Sequence, residues 1–194
     1  SGSITLDGTP QLALSEDDVN ALVQPGGEAA RMAYQALRVP NVALYIACPS
    51  PAGGAVQATA TITITATTPH ATTGEWRYRI SGILVSGAIS TTAAQNTIAT
   101  AIRDAINARP ELPVTATVLA NVVTLTVKCA GIRGNQYILM QDTTQLPSTV
   151  TSALAGGSSV TGGGVFFTNG AGTESVSTLL TNISAVEYAR IAHA

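Results

Sequence analysis

Apolar and polar residues alternate strictly over residues 58–67, with Ala58, Ala60, Ile62, Ile64 and Ala66 on one side and mainly threonines on the other. A period of two sends successive side chains to opposite faces, so this segment predicts a half-exposed β-strand. Trp76, Tyr78 and Ile80 alternate with Glu75, Arg77 and Arg79 in a second strand, and Ser81-Gly82 supplies a turn into a third that runs to about Ile89. Residues 114–119 and 122–128 read as a hairpin about Ala120-Asn121, and residues 137–141 as a further strand. Between these strands the period becomes helical: Ala94, Ile98, Ala101, Ile102 and Ala105 form one stripe, with Thr91 or Thr92 as N-cap and an end before Pro110. Strands, one helix and more strands predict α+β structure, a largely antiparallel sheet covered by a single helix.

The two ends of the chain carry a different pattern. Ser15-Glu16-Asp17-Asp18 reads as a capping box that opens a short helix to about Val23. After Pro25-Gly26-Gly27, Ala29, Met32, Ala33, Ala36 and Leu37 recur at helical spacing until Pro40 forbids continuation. Residues 42–48 are an uninterrupted apolar run between breakers, which predicts a strand buried on both faces of a parallel sheet. Residues 174–183 restore a helical stripe in Val176, Leu179, Leu180 and Ile183, and residues 188–192 read as a strand. Both ends are therefore α/β in character. The Pro- and Gly-rich residues 49–54 mark a boundary, and residues 148–164, rich in Ser, Thr and Gly, read as a loop or an edge strand returning to the first domain. The expected organisation is α/β plus α+β: residues 4–55 begin an α/β body, 56–164 form an inserted β-rich domain with one main helix, and 165–194 return to the body. Ser1-Gly2-Ser3 in place of an initiator Met, and a stop within an expected strand, predict an excised piece of a longer chain.

Composition narrows the function classes. Charged residues make up 10% of the chain, well under the roughly one quarter usual for soluble domains. A Thr-rich, charge-poor surface suits close packing against other copies of the chain. The net charge is −2 and the nine Lys and Arg residues are scattered, which excludes a nucleic-acid footprint. No stretch reaches the length of an apolar membrane span, and no charged leader precedes an apolar core. Neither a membrane nor an export route is expected.

Candidate chemistry is sparse. Histidine is the commonest general base near neutral pH, and the two present, His70 and His193, have no acidic or cysteine neighbour in sequence. No serine lies in a GxSxG elbow, and His70 is expected in a turn or at the surface. Gly170-Ala171-Gly172-Thr173-Glu174-Ser175 superficially matches a dinucleotide fingerprint, but Ser175 replaces the third glycine, so a turn with Thr173 as helix N-cap is the simpler reading. Gly162-Gly163-Gly164 lacks the Gly-Lys-Ser/Thr that cradles phosphate. Glu16, Asp17 and Asp18 are consecutive at a helix start and lack the alternate spacing of a calcium loop. Trp76-Arg77-Tyr78-Arg79 could form an aromatic and basic platform, yet strand alternation sends the rings and the guanidinium groups to opposite faces. Cys48 and Cys129 have no metal or redox spacing and are expected as buried thiols. The expectation is of no catalytic, cofactor-binding or metal residues, no cofactor and no enzymatic activity.

Three stretches resemble the tail sheath proteins of Mu-like contractile phages: residues 22–32 (LVQPGGEAARM), residues 60–65 leading into 74–80 (GEWRYRI), and residues 101–116 (AIRDAINARPELPVTA) followed by 122–131 and Gly134-Asn135. The resemblance runs from about Leu22 onward. It implies a truncated subtilisin-like α/β body used as a scaffold, with an inserted β-rich domain displayed outward and no catalytic residue to carry over. It further implies a virion subunit, assembled in the host cytoplasm, whose partners are other sheath copies and the tail tube. Such a sheath contracts to drive the tube through the host envelope. Linking arms at the chain ends join neighbours by strand addition in such proteins, so the excised piece is expected to be monomeric. A sheath from a contractile bacteriocin or injection system fits the same residues. A carbohydrate-binding or adhesin module, suggested by the Thr-rich strands and Trp76, is the alternative from another class.

Overall fold

The computed structural model describes residues 9–40, 43–48, 53–173 and 180–181. The first of these build a small unit around Ala13, Val19, Val23, Ala30, Ala33 and Ile46. Strand β1 (Gln11–Ala13) leads into helix α1 (Glu16–Leu22), and helix α2 (Glu28–Leu37) into strand β2 (Leu44–Ile46). The capping box forms as the residues predict. The Asp18 N–H donates to Ser15 Oγ at 3.1 Å, and the Asp18 carboxylate accepts from the amides of Leu14 and Ser15 at 2.9 and 3.0 Å. These bonds, the one from Leu14 foremost, hold the Asp18 carboxyl below its ordinary range.

The expected parallel sheet is replaced by a different arrangement. β2 pairs antiparallel with β1, Leu12 opposite Tyr45, in a sheet of two strands. An unbroken apolar run reads as buried on both faces, but only Ile46 of β2 is buried, and Tyr45 is 49% exposed. The stripe of α2 also turns: Ala30 and Ala33 are buried, while Ala29 and Met32 are exposed.

The central residues form two antiparallel sheets. The first has the order β6 (Val114–Leu119), β7 (Val122–Ala130), β3 (Gln57–Ala66), β9 (Val150–Ala155). The second has the order β10 (Ser159–Val160), β11 (Gly164–Phe166), β8 (Ile138–Asp142), β4 (Gly74–Ile80), β5 (Ile83–Ile89). Alternation sets the inward faces as expected, with Ala58, Ala60, Ile62 and Ile64 from β3 and Trp76, Tyr78 and Ile80 from β4 in one core. Helix α3 (Gln95–Asn107) packs against strands of both sheets. Its N-cap is Ala94, with no side-chain cap from Thr91 or Thr92, and its buried stripe is Ile98, Ala99, Ile102 and Ile106; Ala101 is exposed. The architecture is α+β with antiparallel pairing throughout the described strands.

The late part of the chain departs from the expected boundary. Residues 148–164 do not return to the first unit: β9 pairs with β3 along the central sheet. Residue 165 lies inside β11, which pairs with β8; Phe167 is in the central core, and Ala171 bridges to Val56. The edge strand that is one of the two readings of residues 148–164 forms, but at the edge of the central sheet. The helix expected at 174–183 and the strand at 188–192 lie outside the described residues apart from Leu180 and Thr181, as do residues 49–52 of the expected linker.

Candidate assembly site

Among the described residues no cluster of His, Cys, Asp and Glu could hold a metal ion, and no helix is long and apolar enough to cross a membrane. The residues that sequence reasoning weighed for chemistry are dispersed. Trp76 and Tyr78 stack in the core with centroids 6.0 Å apart, whereas Arg77 lies on the other face, 2.6 Å from Glu75 and 4.0 Å from Asp142. Burial pushes Tyr78 up to about 12, so its hydroxyl stays protonated, 2.8 Å from Ser152 Oγ in the facing sheet. Gly170 is stitched to the Asn135 carboxamide through its N–H at 2.8 Å and its C=O at 2.9 Å, a backbone junction with no resemblance to a phosphate loop. The helix that Thr173 would cap, and His193, lie outside the described residues. Cys48 is half-buried and Cys129 exposed, in place of two buried thiols.

His70 lies in the β3–β4 connection, as the turn reading expects, but it is not at the surface: it is 3% exposed. Its Nε2 lies 2.9 Å from the Ala93 carbonyl and must carry the proton donated there. Nδ1 is hydrogen-bonded to the Thr149 hydroxyl at 2.7 Å. The ring thus ties the β3–β4 connection to the approach to α3 and to the start of β9. Replacing His70 with Ala opens a cavity and leaves two polar groups unpaired, with an expected cost of about 2–3 kcal/mol. Thermal unfolding checks this; an unchanged midpoint would mean that the tie carries no stability.

The N-terminal unit meets the sheets through a small set of close contacts. Lys128, near the end of β7, reaches across with its Nζ to donate to the carbonyls of Pro25 at 2.8 Å and Pro110 at 2.6 Å. Burial holds its pKa below the ordinary lysine value. Gly26 lies against the opposite loop, where an added Cβ would fall 2.3 Å from Leu112 O and 2.7 Å from Pro110 O. Its φ of +82° is also one that side chains disfavour. Arg133 and Glu28 add an exposed ion pair at 3.6 Å, worth little alone. The clasp therefore joins Pro25-Gly26-Gly27, Pro110-Glu111-Leu112 and Lys128, which come from the first and third of the sequence stretches singled out above.

Among the described residues, the N-terminal unit leaves several large apolar side chains exposed. Its two-stranded sheet buries Ala13 and Ile46 against the helices and turns Leu12 and Tyr45 outward; Leu14, Met32 and Val39 of the same unit are exposed too. No protein-family model matches the chain, and no curated protein matches it either.

Proposed function

We propose that this chain is a structural subunit of a contractile phage tail sheath, in which the central two-sheet domain is an outward insertion. The N-terminal unit is then the first part of a subtilisin-like α/β body. In this reading the chain has no catalytic role, and its partners are other copies of itself and the tail tube. The observation that carries the proposal is the contrast between the units. The central one completes its own core from both sheets and α3, whereas the N-terminal one buries a single face of a two-stranded sheet and leaves Leu12, Tyr45, Leu14 and Val39 in water. An exposed group of large apolar side chains of this kind suits contact with a partner surface, and in this reading further layers of the same body cover it. The charge-poor surface and the clasp between two sheath-like stretches support the same reading.

Electron microscopy of the gene product expressed at full length tests it. The expected result is helical tubes with a central channel, in extended or contracted form. Discrete, non-polymeric particles that bind glycans would overturn it in favour of an adhesin.

A further inference from the structure

The edges of the two sheets are treated unequally. Ile64 of β3 turns its backbone toward β7, where its N–H donates to Asn121 O at 2.9 Å, so β3 bonds β9 through Thr61, Thr63 and Thr65. On β9 the groups bonded back are then those of Ala155, Ala153 and Thr151, and the backbone of Ser152 and Leu154 points away from the sheet. By the same phase, β6 turns Ala116 outward. That position is closed: the Asn107 carboxamide accepts from the Ala116 N–H and donates to its C=O, both at 2.8 Å. Asn107 occupies the place of a neighbouring strand. On β5 the outward Leu84 carbonyl accepts from the Arg109 guanidinium, and β10 is only two residues long.

β9 has no such protection. It carries no charge, no proline and no bulge, the devices that normally keep edges apart. Residues 143–173, which include β9, β10 and β11, contain no charged side chain at all. Among the described residues no side chain reaches the outward backbone of Ser152 or Leu154.

We infer that β9 is a self-pairing edge, which joins two copies of this chain antiparallel about a two-fold axis at Ser152. A second copy fits for three reasons. The outward positions are symmetric, so Ser152 meets Ser152 of the partner subunit and Val150 meets the partner's Leu154. The Val150 N–H is already taken by Pro147 O at 2.9 Å, which leaves its carbonyl to receive the partner's Leu154 amide. The core-side residues of β9, buried Val150 and half-buried Leu154, abut in this register and extend the apolar face across the axis. A neutral surface opposes none of this with like-charge repulsion. The contact is small, so the dimer is weak and concentration-dependent, and it replaces the monomer expected from sequence for the isolated chain. It does not rest on the sheath reading, because it follows from the edge of one sheet alone.

Sedimentation of the purified chain across a wide concentration range tests the inference. The register places Thr151 opposite the partner's Ala153, both exposed. The double variant T151K/A153K sets lysines opposite lysines twice and should weaken the dimer by about tenfold or more. T151K/A153E sets each lysine opposite a glutamate and should retain it. Unchanged thermal midpoints would show that both variants remain folded. A wild-type chain that stays monomeric throughout, or variants that dimerise equally, would overturn the inference.

Discussion

Replacing Gly87 with Ala should destabilise the central domain out of proportion to the one methyl group added. Gly87 on β5 lies directly opposite Trp76 on β4, and the indole covers it so closely that an added Cβ would sit 2.5 Å from Cζ2 and 2.8 Å from Cε2. Trp76 has nowhere to retreat: it is 2% exposed, stacks on Tyr78 and lies in a core lined from both sheets. Overpacking of this kind costs about 1–3 kcal/mol, and the confinement here points to the upper part of that range. Trp76→Leu alone removes a large buried side chain and is also destabilising, but it empties the space over Gly87. The penalty of G87A should therefore shrink by about 1 kcal/mol or more in the Trp76→Leu background, the coupling expected of residues in direct contact. Denaturant unfolding of the two single variants and the double variant measures it. Equal penalties in both backgrounds would show that the indole is not what excludes a side chain at position 87.

The contact between Trp76 and Gly87 also shows which parts of the fold were legible in the sequence. A period of two placed Trp76, Tyr78 and Ile80 on one face and the charges on the other, and the two-residue turn at Ser81-Gly82 fixed the hairpin register that brings Gly87 under the ring. Such local patterns survive because each follows from backbone geometry alone. The parallel strand expected at residues 42–48 failed because an apolar run signals burial without saying which neighbours provide it. β9 was legible only as one of two alternatives, a loop or an edge strand, because its solvent-facing residues are Thr and Ala, too weakly polar to alternate visibly. The clasp left no sequence signal for a different reason: Lys128 binds the carbonyls of Pro25 and Pro110, and a backbone carbonyl looks the same whatever residue bears it. Likewise, the Asn107 side chain that closes β6 reads in sequence as an ordinary residue at a helix end.

Breaking the clasp should loosen the N-terminal unit while leaving the central domain folded. Two substitutions attack it from opposite sides. Gly26→Ala drives a methyl group into the carbonyls of Leu112 and Pro110 and also demands a positive φ that alanine resists, so the loop must lift away. Lys128→Met keeps most of the apolar stem but removes the donor from two carbonyls, a loss of about 1–3 kcal/mol for partly buried groups left unpaired. Neither residue lies in the central core, whose buried members come from both sheets and α3. Amide exchange in α1 and α2 should therefore accelerate by roughly ten- to a hundredfold, the equivalent of the clasp's contribution, while exchange in β3, β4 and β7 stays slow. The pH response has a defined sign. Burial lowers the Lys128 pKa below its ordinary value of 10.5, so between the two values the opened state binds more protons than the closed one. The clasp's stability should then rise with pH across that alkaline window, and lysine titration should leave it flat near neutrality. Uniform acceleration of exchange across both units would show that Lys128 and Gly26 serve the whole fold; no acceleration in α1 and α2 would show that the N-terminal unit is held by something other than this clasp.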